Sequence, residues 1–289
     1  MRWNQCGMTA VKRSGRVRNG TGKQMEQSNK LTGLIVAHNE EDMIEDALKS
    51  LDFCDEIVVV LDKCTDGTRK IVEQYTSNIL EGAWDIEGVR RNLGIEGCAG
   101  PFILELDADE RVLPETAEEI RQVVKGGVEG CYKIRFDNYV GHRLVRYGWA
   151  GSFGKSAACC LFTKGSKIWG LQRIHPSLEM KNYRHELDGH ITHLVDRDLN
   201  DMIRRLMWYS DMRALDMVQK PLPRFRTVLR RSCHRFIKAL WGRKGYKEGK
   251  MGFLLAVMAA LFQLFSYYKA LFIQEERSAE ARRAANGKA

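Results

Sequence analysis

Four carboxylates lie close together where one short apolar run of this sequence ends. Residues 102–104 (Phe-Ile-Leu) are followed by Glu105, Asp107, Asp109 and Glu110. Carboxylates crowded in this way repel one another unless water or a cation surrounds them. Asp107 and Asp109 can each give an oxygen to a hard divalent cation, which takes its remaining ligands from water and phosphate groups. The spacing is therefore compatible with a metal site of this kind, but taken alone it is more typical of a solvated acidic turn.

Two earlier apolar runs also end in polar residues that can bind a ligand. One run ends in His38, Asn39 and Glu40, and the run 57–61 ends in Asp62. Runs of this length are typical of buried strands. Ligands of a parallel sheet bind beyond the carboxyl ends of its strands. We therefore expect the three polar strand ends to meet at one edge, which favours a binding site over an acidic turn.

Strands alternate with helical patterns from residue 31 to residue 125. Apolar residues recur at helical spacing in residues 43–51, for example, between two apolar runs. This alternation predicts an α/β fold with a mostly parallel sheet and helices on both faces. Residues 126–219 instead predict mixed strands and loops that lead into a helix. We therefore expect one domain over residues 31–219, followed by C-terminal amphipathic helices.

The positive charge of the chain is concentrated near its two ends. The net charge is +9, and residues 220–250 hold eleven Lys or Arg and one acid, while residues 1–30 hold seven and one. The body between them is therefore acidic, which argues against a nucleic-acid-binding core. Basic ends are typical of tails or of contact with an anionic membrane surface. We expect residues 1–30 to form a disordered basic arm.

Cysteine usage indicates the redox environment of the chain. The eight cysteines form neither a Cys-x-x-Cys pair nor a regular framework. In a chain of 289 residues this pattern predicts reduced thiols, several of them in the core, and a cytoplasmic location. Residues 1–30 also lack the apolar region of a secretory signal.

The C-terminal region combines a basic segment with an apolar one. Apolar residues recur every three or four positions among the Lys and Arg of residues 220–250, which predicts a basic amphipathic helix. Residues 251–273 have the length of a membrane span but are interrupted by Gln263, Ser266 and Lys269. A spanning helix, an in-plane interfacial helix and an ordinary packed helix are all possible. The preceding basic helix favours the interfacial one.

Three motifs of this chain occur in the order and spacing of a known family. They are LIVAHNEE, VVVLDKCTDGT and VRRNLGIEGCAGPFILELDADE. Together they resemble the nucleotide-sugar half of inverting family 2 glycosyltransferases, which have the GT-A fold. The resemblance covers residues 31–125, and residues 126–219 would then form the acceptor half. RIHPSLE and the basic, aromatic C-terminus are similar to the branch that adds sugars to the lipopolysaccharide core.

The resemblance implies a donor and a metal. The donor would be a nucleotide sugar, a UDP-sugar first and ADP-heptose as the alternative, and the cation would be Mg²⁺ or Mn²⁺. Asp62 would accept the uracil N–H, and Asp109 would bind the metal directly. The nucleotide-binding residues of the family correspond to His38, Asn39, Glu40, Asp62, Arg90, Arg91 and Asp107, and its metal-binding residues to Asp107 and Asp109.

An inverting transfer also needs a base that takes the proton of the acceptor hydroxyl. In many members of the family a carboxylate from a later loop is this base, and the candidates here are Glu179, Glu186, Asp188 and His175. Pro176 follows His175 where related members carry Glu, so the next acid is Glu179. We expect Glu179 to be the base, ahead of Asp188 and His175.

The resemblance predicts a metal-dependent glycosyltransferase with a glycolipid substrate. It would move a hexose or heptose to a lipopolysaccharide core or similar glycolipid or oligosaccharide. It would be cytoplasmic and peripheral on the inner membrane, held there by residues 220–289, and it would bind no nucleic acid. Two alternatives are a transferase that uses polyprenyl phosphate as acceptor and a non-catalytic protein that binds nucleotide sugars.

Overall fold

A computed structural model describes residues 29–149, 154–172 and 176–286 of the chain. The predicted basic arm lies almost wholly outside these residues, as does His175. The first half alternates strands and helices in this order: β1 (Leu31–Ala37), α1 (Ile44–Lys49), β2 (Glu56–Asp62), α2 (Thr68–Val72), β3 (Ile79–Gly82), α3 (Glu87–Gly97), β4 (Phe102–Leu106), β5 (Glu110–Val112) and α4 (Pro114–Gly126).

The second half begins with strands and ends with helices. The strands are β6 (Cys131–Val140), β7 (Arg143–Leu144), β8 (Ala157–Thr163), β9 (Lys167–Trp169), β10 (Leu178–Met180) and β11 (Tyr183–Asp196). The helices are α5 (Leu199–Met217), α6 (Phe225–Ile237), a π-helical turn at Lys238–Gly242, a 3₁₀ turn at Gly245–Glu248 and α7 (Lys250–Asn286).

The main sheet has a parallel half and a mixed half. Its strand order is β3-β2-β1-β4-β8-β6-β11-β5, and β7 pairs with β6. The four strands from β3 to β4 are parallel to one another. β8 is antiparallel to β4 and β6, and β6 is parallel to β11. The strands β9 and β10 form a separate antiparallel pair.

Apolar side chains on both faces of the parallel half explain why helices cover both of these faces. Leu31 and Ile35 of β1 pack in one core cluster with Ile120 of α4. Leu34 points to the other face, where it packs in a second cluster with Ile95 of α3. Strands buried on both faces read as continuous apolar runs, as these do. The α/β fold with helices on both faces, predicted from the sequence, is confirmed.

Strand register brings the polar strand ends to one edge of the sheet. Ala37 of β1 lies opposite Leu61 of β2, and Ile35 lies opposite Leu106 of β4. The residues that follow these three strands therefore meet side by side. β11 runs antiparallel to β5 and adds its own C-terminal end to this edge.

The C-terminal helices pack on the second half of the domain. Leu255, Ala259 and Phe262 of α7 share a core cluster with Met202 and Leu206 of α5. Residues 250–280 are long and apolar enough to cross a membrane, by length and composition only, and 44% of their most apolar window is buried in the protein.

The polar residues that interrupt the apolar stretch of α7 face the protein. Ser266 is buried and donates to the Phe262 carbonyl at 2.6 Å. Gln263 is also buried, and Lys269 pairs with Asp211 of α5 at 2.6 Å. One face of α7 therefore packs against the protein, as expected for an ordinary packed helix, one of the three possibilities for residues 251–273.

Candidate active site

A cleft of about 740 Å³ lies at the edge where the strand ends meet. Its walls come from the loop after β1, the loop between β4 and β5, the end of β11 and the first half of α5. Glu40 and Asp109 lie on one side, and Arg205, Trp208 and Tyr209 of α5 lie on the other. The two halves of the sheet therefore both contribute to this cleft.

Three side chains at this edge are close enough to hold one metal ion. Asp109, Glu110 and His193 each offer a ligand atom, and these atoms all lie within 4.8 Å of one another. Glu110 of β5 and His193 of β11 are directly opposite in the antiparallel pair, so their side chains share one face. Nε2 of His193 lies 3.3 Å from Oδ2 of Asp109.

The donor set of this group fits a divalent cation. Oδ1 of Asp109 is buried and has no hydrogen-bond partner among the described residues. Buried polar atoms are nearly always paired, so an unpaired carboxylate oxygen at this position suits a cation ligand. Nδ1 of His193 lies 2.8 Å from Oδ1 of Asn138, a contact that orients the imidazole ring. Asp109 thus lies at the predicted edge of the sheet, and its role as a metal ligand stays a prediction.

Asp107, which was also predicted to bind the metal, is not a member of this group. Its Oδ1 accepts from Arg91 at 3.1 Å, and its Oδ2 accepts from Lys155. Burial opposes ionisation, but the charges of Lys155 and Arg91 hold the pKa of Asp107 far below its usual range. Its charge is therefore already neutralised by protein side chains. Glu110, which lies beside Asp109 with His193, also accepts from Lys155 and from the backbone N–H of Asp107, so Asp109 carries the unpaired oxygen of the group.

Two carboxyl groups near Asp109 have raised pKa values. Burial, together with the charges of Asp109 and Asp107, raises the pKa of Glu40 to about 7. Burial and the charge of Asp107 also raise the pKa of Glu110 to about 7, against the opposing effect of Lys155. The edge therefore holds more carboxylates than its basic residues balance. A bound cation would relieve this repulsion.

The predicted nucleoside-binding residues hold the loops after β1 and β2 together. Nδ1 of His38 lies 2.6 Å from the carbonyl oxygen of Asp62. Asn39 has a φ of 57°, in the left-handed region that Asn tolerates better than most residues. Its Oδ1 accepts from the backbone N–H of Thr65 at 2.8 Å. The structure thus brings His38, Asn39 and Glu40 to the predicted edge.

Asp62 and Arg90 form an ion pair beneath this edge. Asp62 is buried, and its carboxylate accepts from the backbone N–H of Trp84 at 2.9 Å and from Arg90. Both of its oxygens therefore already have partners within the protein. Its role toward a uracil ring, and the role of Arg90 toward a nucleotide, stay predictions.

Arg91 connects three carboxylates and contacts β9 in the second half of the domain. It donates to Glu105 at 2.7 Å, to Asp107 at 3.1 Å and to Glu87 at 2.8 Å. Its guanidinium lies 4.7 Å from the ring centre of Trp169 on β9. Arg91 therefore fixes Asp107 and links α3 to β9, in addition to any contact with a nucleotide.

The structure separates the candidates for the catalytic base. Asp188 lies on β11, five residues before His193, which corresponds to about 16 Å along a strand. It is exposed and lies 3.8 Å from Arg135. Glu179 is exposed on β10, next to Leu178, the partner of Trp169 across the two-stranded sheet. Neither Glu179 nor Asp188 lines the cleft or belongs to the group of Asp109, Glu110 and His193.

Several residues of the site were not predicted from the sequence. Lys155 comes from a loop of the second half, and no periodic pattern marks it. His193 lies on the strand β11, and no motif in the sequence marks it as a ligand. The cleft-facing residues of α5 follow helical spacing, but the sequence does not show which side of that helix meets the cleft. They are Asp201, Arg204, Arg205, Trp208 and Tyr209.

Comparison with known proteins identifies the domain. Residues 34–159 match the model of glycosyl transferase family 2. The lipopolysaccharide core biosynthesis glycosyltransferase LpsC of Rhizobium meliloti (strain 1021) is 22% identical over 258 residues, which cover 83% of this chain and 91% of that protein. The uncharacterized glycosyltransferase YibD of Escherichia coli (strain K12) is 30% identical over 105 residues, 33% of this chain and 30% of that protein.

The similar solved structures have low TM-scores and low sequence identity to this chain. S. aureus TarS in complex with UDP has a TM-score of 0.43 and 15% identity, covering 87% of this chain and 92% of that chain. Glucosyl-3-phosphoglycerate synthase from Mycobacterium tuberculosis in complex with Mn²⁺ and UDP-glucose has a TM-score of 0.32 and 17% identity, covering 43% and 50%. TM-scores this low do not assign a ligand to this chain. The family match stands without them: residues 34–159 of this chain match glycosyl transferase family 2, the family that its three motifs resemble.

Proposed function

We propose that this glycosyltransferase inverts the anomeric configuration of the sugar that it transfers. The enzyme moves a hexose or heptose from a nucleotide sugar to a lipopolysaccharide core or related glycolipid. The observation that carries the donor site is the group of Asp109, Glu110 and His193, with its unpaired carboxylate oxygen. The acceptor class is supported by LpsC, which aligns over 91% of its length. The enzyme works on the cytoplasmic face of the inner membrane and reaches it through α6 and α7.

The three side chains of this group would hold Mg²⁺ or Mn²⁺ at the edge of the cleft. A cation bound there supplies positive charge to the diphosphate as it leaves the sugar. Lys155 and Arg91 keep Asp107 ionised and fixed, so that Asp109 remains for the cation. The protein thus provides a preformed arrangement of charges and does not have to reorganise during the reaction.

Glu179 is the proposed base for the acceptor hydroxyl. Its strand is paired with β9, whose Trp169 packs on Arg91 beside Asp107. Glu179 is exposed, so an acceptor hydroxyl can approach its carboxylate from solvent. Arg205, Trp208 and Tyr209 line the opposite wall of the cleft, where a sugar of the acceptor can lie against the aromatic rings.

The donor is proposed to be a UDP-sugar, with ADP-heptose as the alternative. A thermal-shift panel of both donor classes, each with Mg²⁺ and with Mn²⁺, tests this proposal. A ligand that binds only the folded protein raises the free energy of unfolding by about 2.7 kcal/mol at a hundredfold excess over Kd, and the unfolding midpoint rises with it. The true donor should raise the midpoint only when the metal is present.

Two variants separate the site from general effects of charge. Asp109→Asn should lose the metal-dependent shift, whereas Asp52→Asn, at an exposed acid that does not line the cleft, should keep it. Product analysis with the best donor and a lipopolysaccharide core acceptor then identifies the transferred sugar. If no nucleotide sugar shifts the midpoint with either metal, the proposed donor site is wrong.

A further inference from the structure

A second cavity lies between the three C-terminal helices, and it is lined almost wholly by basic side chains. Its volume is about 460 Å³. It shares no lining residue with the cleft at the sheet edge. The lining residues come from α5, α6 and α7, and we call them the arginine pocket: Arg213, Arg230, Arg231, His234, Arg235 and Gln263.

The arginines of this pocket lack acidic partners. Among the residues that the structure describes, none of the four forms an ion pair, and Asp216 acts on Arg213 only at longer range. Other basic residues of the same bundle are paired, since Arg205 binds Asp196 and Lys269 binds Asp211. The positive charge of the pocket is therefore left for a ligand.

Two of the arginines are held in place and partly withdrawn from water. The guanidinium groups of Arg213 and Arg235 lie 5.4 and 5.3 Å from the ring centre of Phe262 on α7. Burial, and then the charges of neighbouring arginines, lower the pKa values of both. Like charges that are packed together without an acid favour the binding of an anion.

Unpaired donors in the pocket also point to a ligand. Nε of Arg213 and Nε2 of Gln263 are buried and have no hydrogen-bond partner among the described residues. Gln263 is only 6% exposed, although it lies on a helix that is otherwise apolar here. Buried N–H groups without partners are costly, and the oxygens of a phosphate group would satisfy them.

The surface next to the pocket is apolar, which distinguishes a lipid from a soluble anion. Phe225, Leu229 and Ile237 of α6 are exposed and spaced in multiples of four residues, so they form one stripe along the helix. Arg230, which directly follows Leu229, and His234, one helical turn later, lie beside this stripe and line the pocket. A basic site beside an exposed apolar stripe is typical of a helix at a membrane surface.

We propose that the arginine pocket binds the phosphate group of an anionic membrane phospholipid, with the exposed stripe of α6 against the acyl chains. The site is independent of the donor cleft, so it can be tested without transfer activity. The pocket would hold the enzyme at the membrane surface in a fixed orientation, because a single lipid headgroup enters a defined cavity. Diffuse attraction of many headgroups to the whole basic surface would not fix the orientation.

Vesicle co-sedimentation of the full chain tests this site. Vesicles of phosphatidylcholine with phosphatidylglycerol are compared with vesicles of phosphatidylcholine alone. The pocket variant is Arg230→Gln with Arg231→Gln, and the matched control is Arg226→Gln with Lys238→Gln. All four residues are exposed on α6 or on the turn after it, and both variants remove two charges.

If the attraction to the anionic surface were diffuse, each basic residue removed would lower the affinity for vesicles about fivefold. Both variants would then lose about thirtyfold in vesicle affinity. The proposal predicts that the pocket variant loses at least about tenfold more than the control. Equal losses, with both variants folded by circular dichroism, would overturn the pocket.

A second arm identifies the source of the phosphate. Inorganic phosphate should raise the unfolding midpoint of the wild type more than that of the pocket variant, because it occupies the same cavity. If phosphate does this but vesicle binding is indifferent to the pocket variant, the ligand is a soluble anion and the lipid proposal is wrong. Preferential, pocket-dependent binding of duplex DNA over vesicles would also contradict it.

Discussion

Replacing Lys155 tests whether the charges at the sheet edge are balanced as described. Lys155 contacts both Asp107 and Glu110, and Glu110 is 1% exposed. Breaking a buried ion pair by removing one partner costs about 3–5 kcal/mol. Lys155 is itself 38% exposed, and Asp107 keeps Arg91, so we expect Lys155→Met to lower the free energy of unfolding by about 2 kcal/mol.

The loss should depend on pH with a defined sign. The pKa of Glu110 in the folded protein is raised to about 7, against 4.5 for the ordinary group. The folded state therefore binds this proton more tightly than the unfolded state, and protonation below pH 7 stabilises the fold. Without Lys155 the pKa of Glu110 rises further, so the stability lost by the variant should be larger at pH 8 than at pH 6.

Urea denaturation of wild type and variant at these two pH values measures the effect. Lys49→Met is the matched control, because Lys49 pairs only with exposed acids, and such pairs contribute at most about 1 kcal/mol. A loss no greater than that of the control, or a larger loss at pH 6 than at pH 8, would refute the described charge balance.

Three further predictions concern packing, thiols and the base. Gly88→Ala should destabilise the protein by about 1–3 kcal/mol or prevent folding, because its Cβ would lie 1.9 Å from a backbone oxygen, whereas Gly126→Ala, with open space around it, should be nearly neutral in urea denaturation. Among the described cysteines, the exposed Cys233 should be alkylated first by iodoacetamide in peptide mapping, and faster labelling of a buried thiol would contradict the core. Glu179→Gln should lower kcat by about a hundredfold or more, whereas Asp188→Asn should keep activity; the opposite ranking would make Asp188 the base.

Much of the fold of residues 31–125 could be predicted because the information for it is local. The apolar runs that became β1, β2 and β4 are continuous, and strands alternate with helices along the chain. General rules of parallel sheets then place the residues after each strand at one edge. Glu40, Asp62 and Asp109 could be assigned to that edge for this reason.

The partners of Asp109 could not be predicted because they depend on long-range register. Glu110 and His193 are 83 positions apart and meet only because β11 pairs antiparallel with β5. A shift of one residue in that pairing would turn His193 to the opposite face. Lys155 reaches Asp107 from an irregular loop, whose path no periodicity encodes.

The environment of α7 was ambiguous in the sequence for a physical reason. Length and hydropathy report how apolar a helix is, and a protein core and a bilayer both accept apolar side chains. What distinguishes them is which face the polar residues take. Gln263, Ser266 and Lys269 interrupt the apolar pattern, and the structure directs them toward α5 and α6 or into the helix backbone.

Mn²⁺ binding, followed by electron paramagnetic resonance in the presence of UDP, tests the central claim most directly. Asp109→Asn and His193→Gln should each weaken Mn²⁺ binding by at least about tenfold, since both remove a proposed ligand. Asp52→Asn should bind as the wild type does. If Mn²⁺ binds equally well without Asp109 and His193, the metal site is not at this edge and the account of the cleft is wrong.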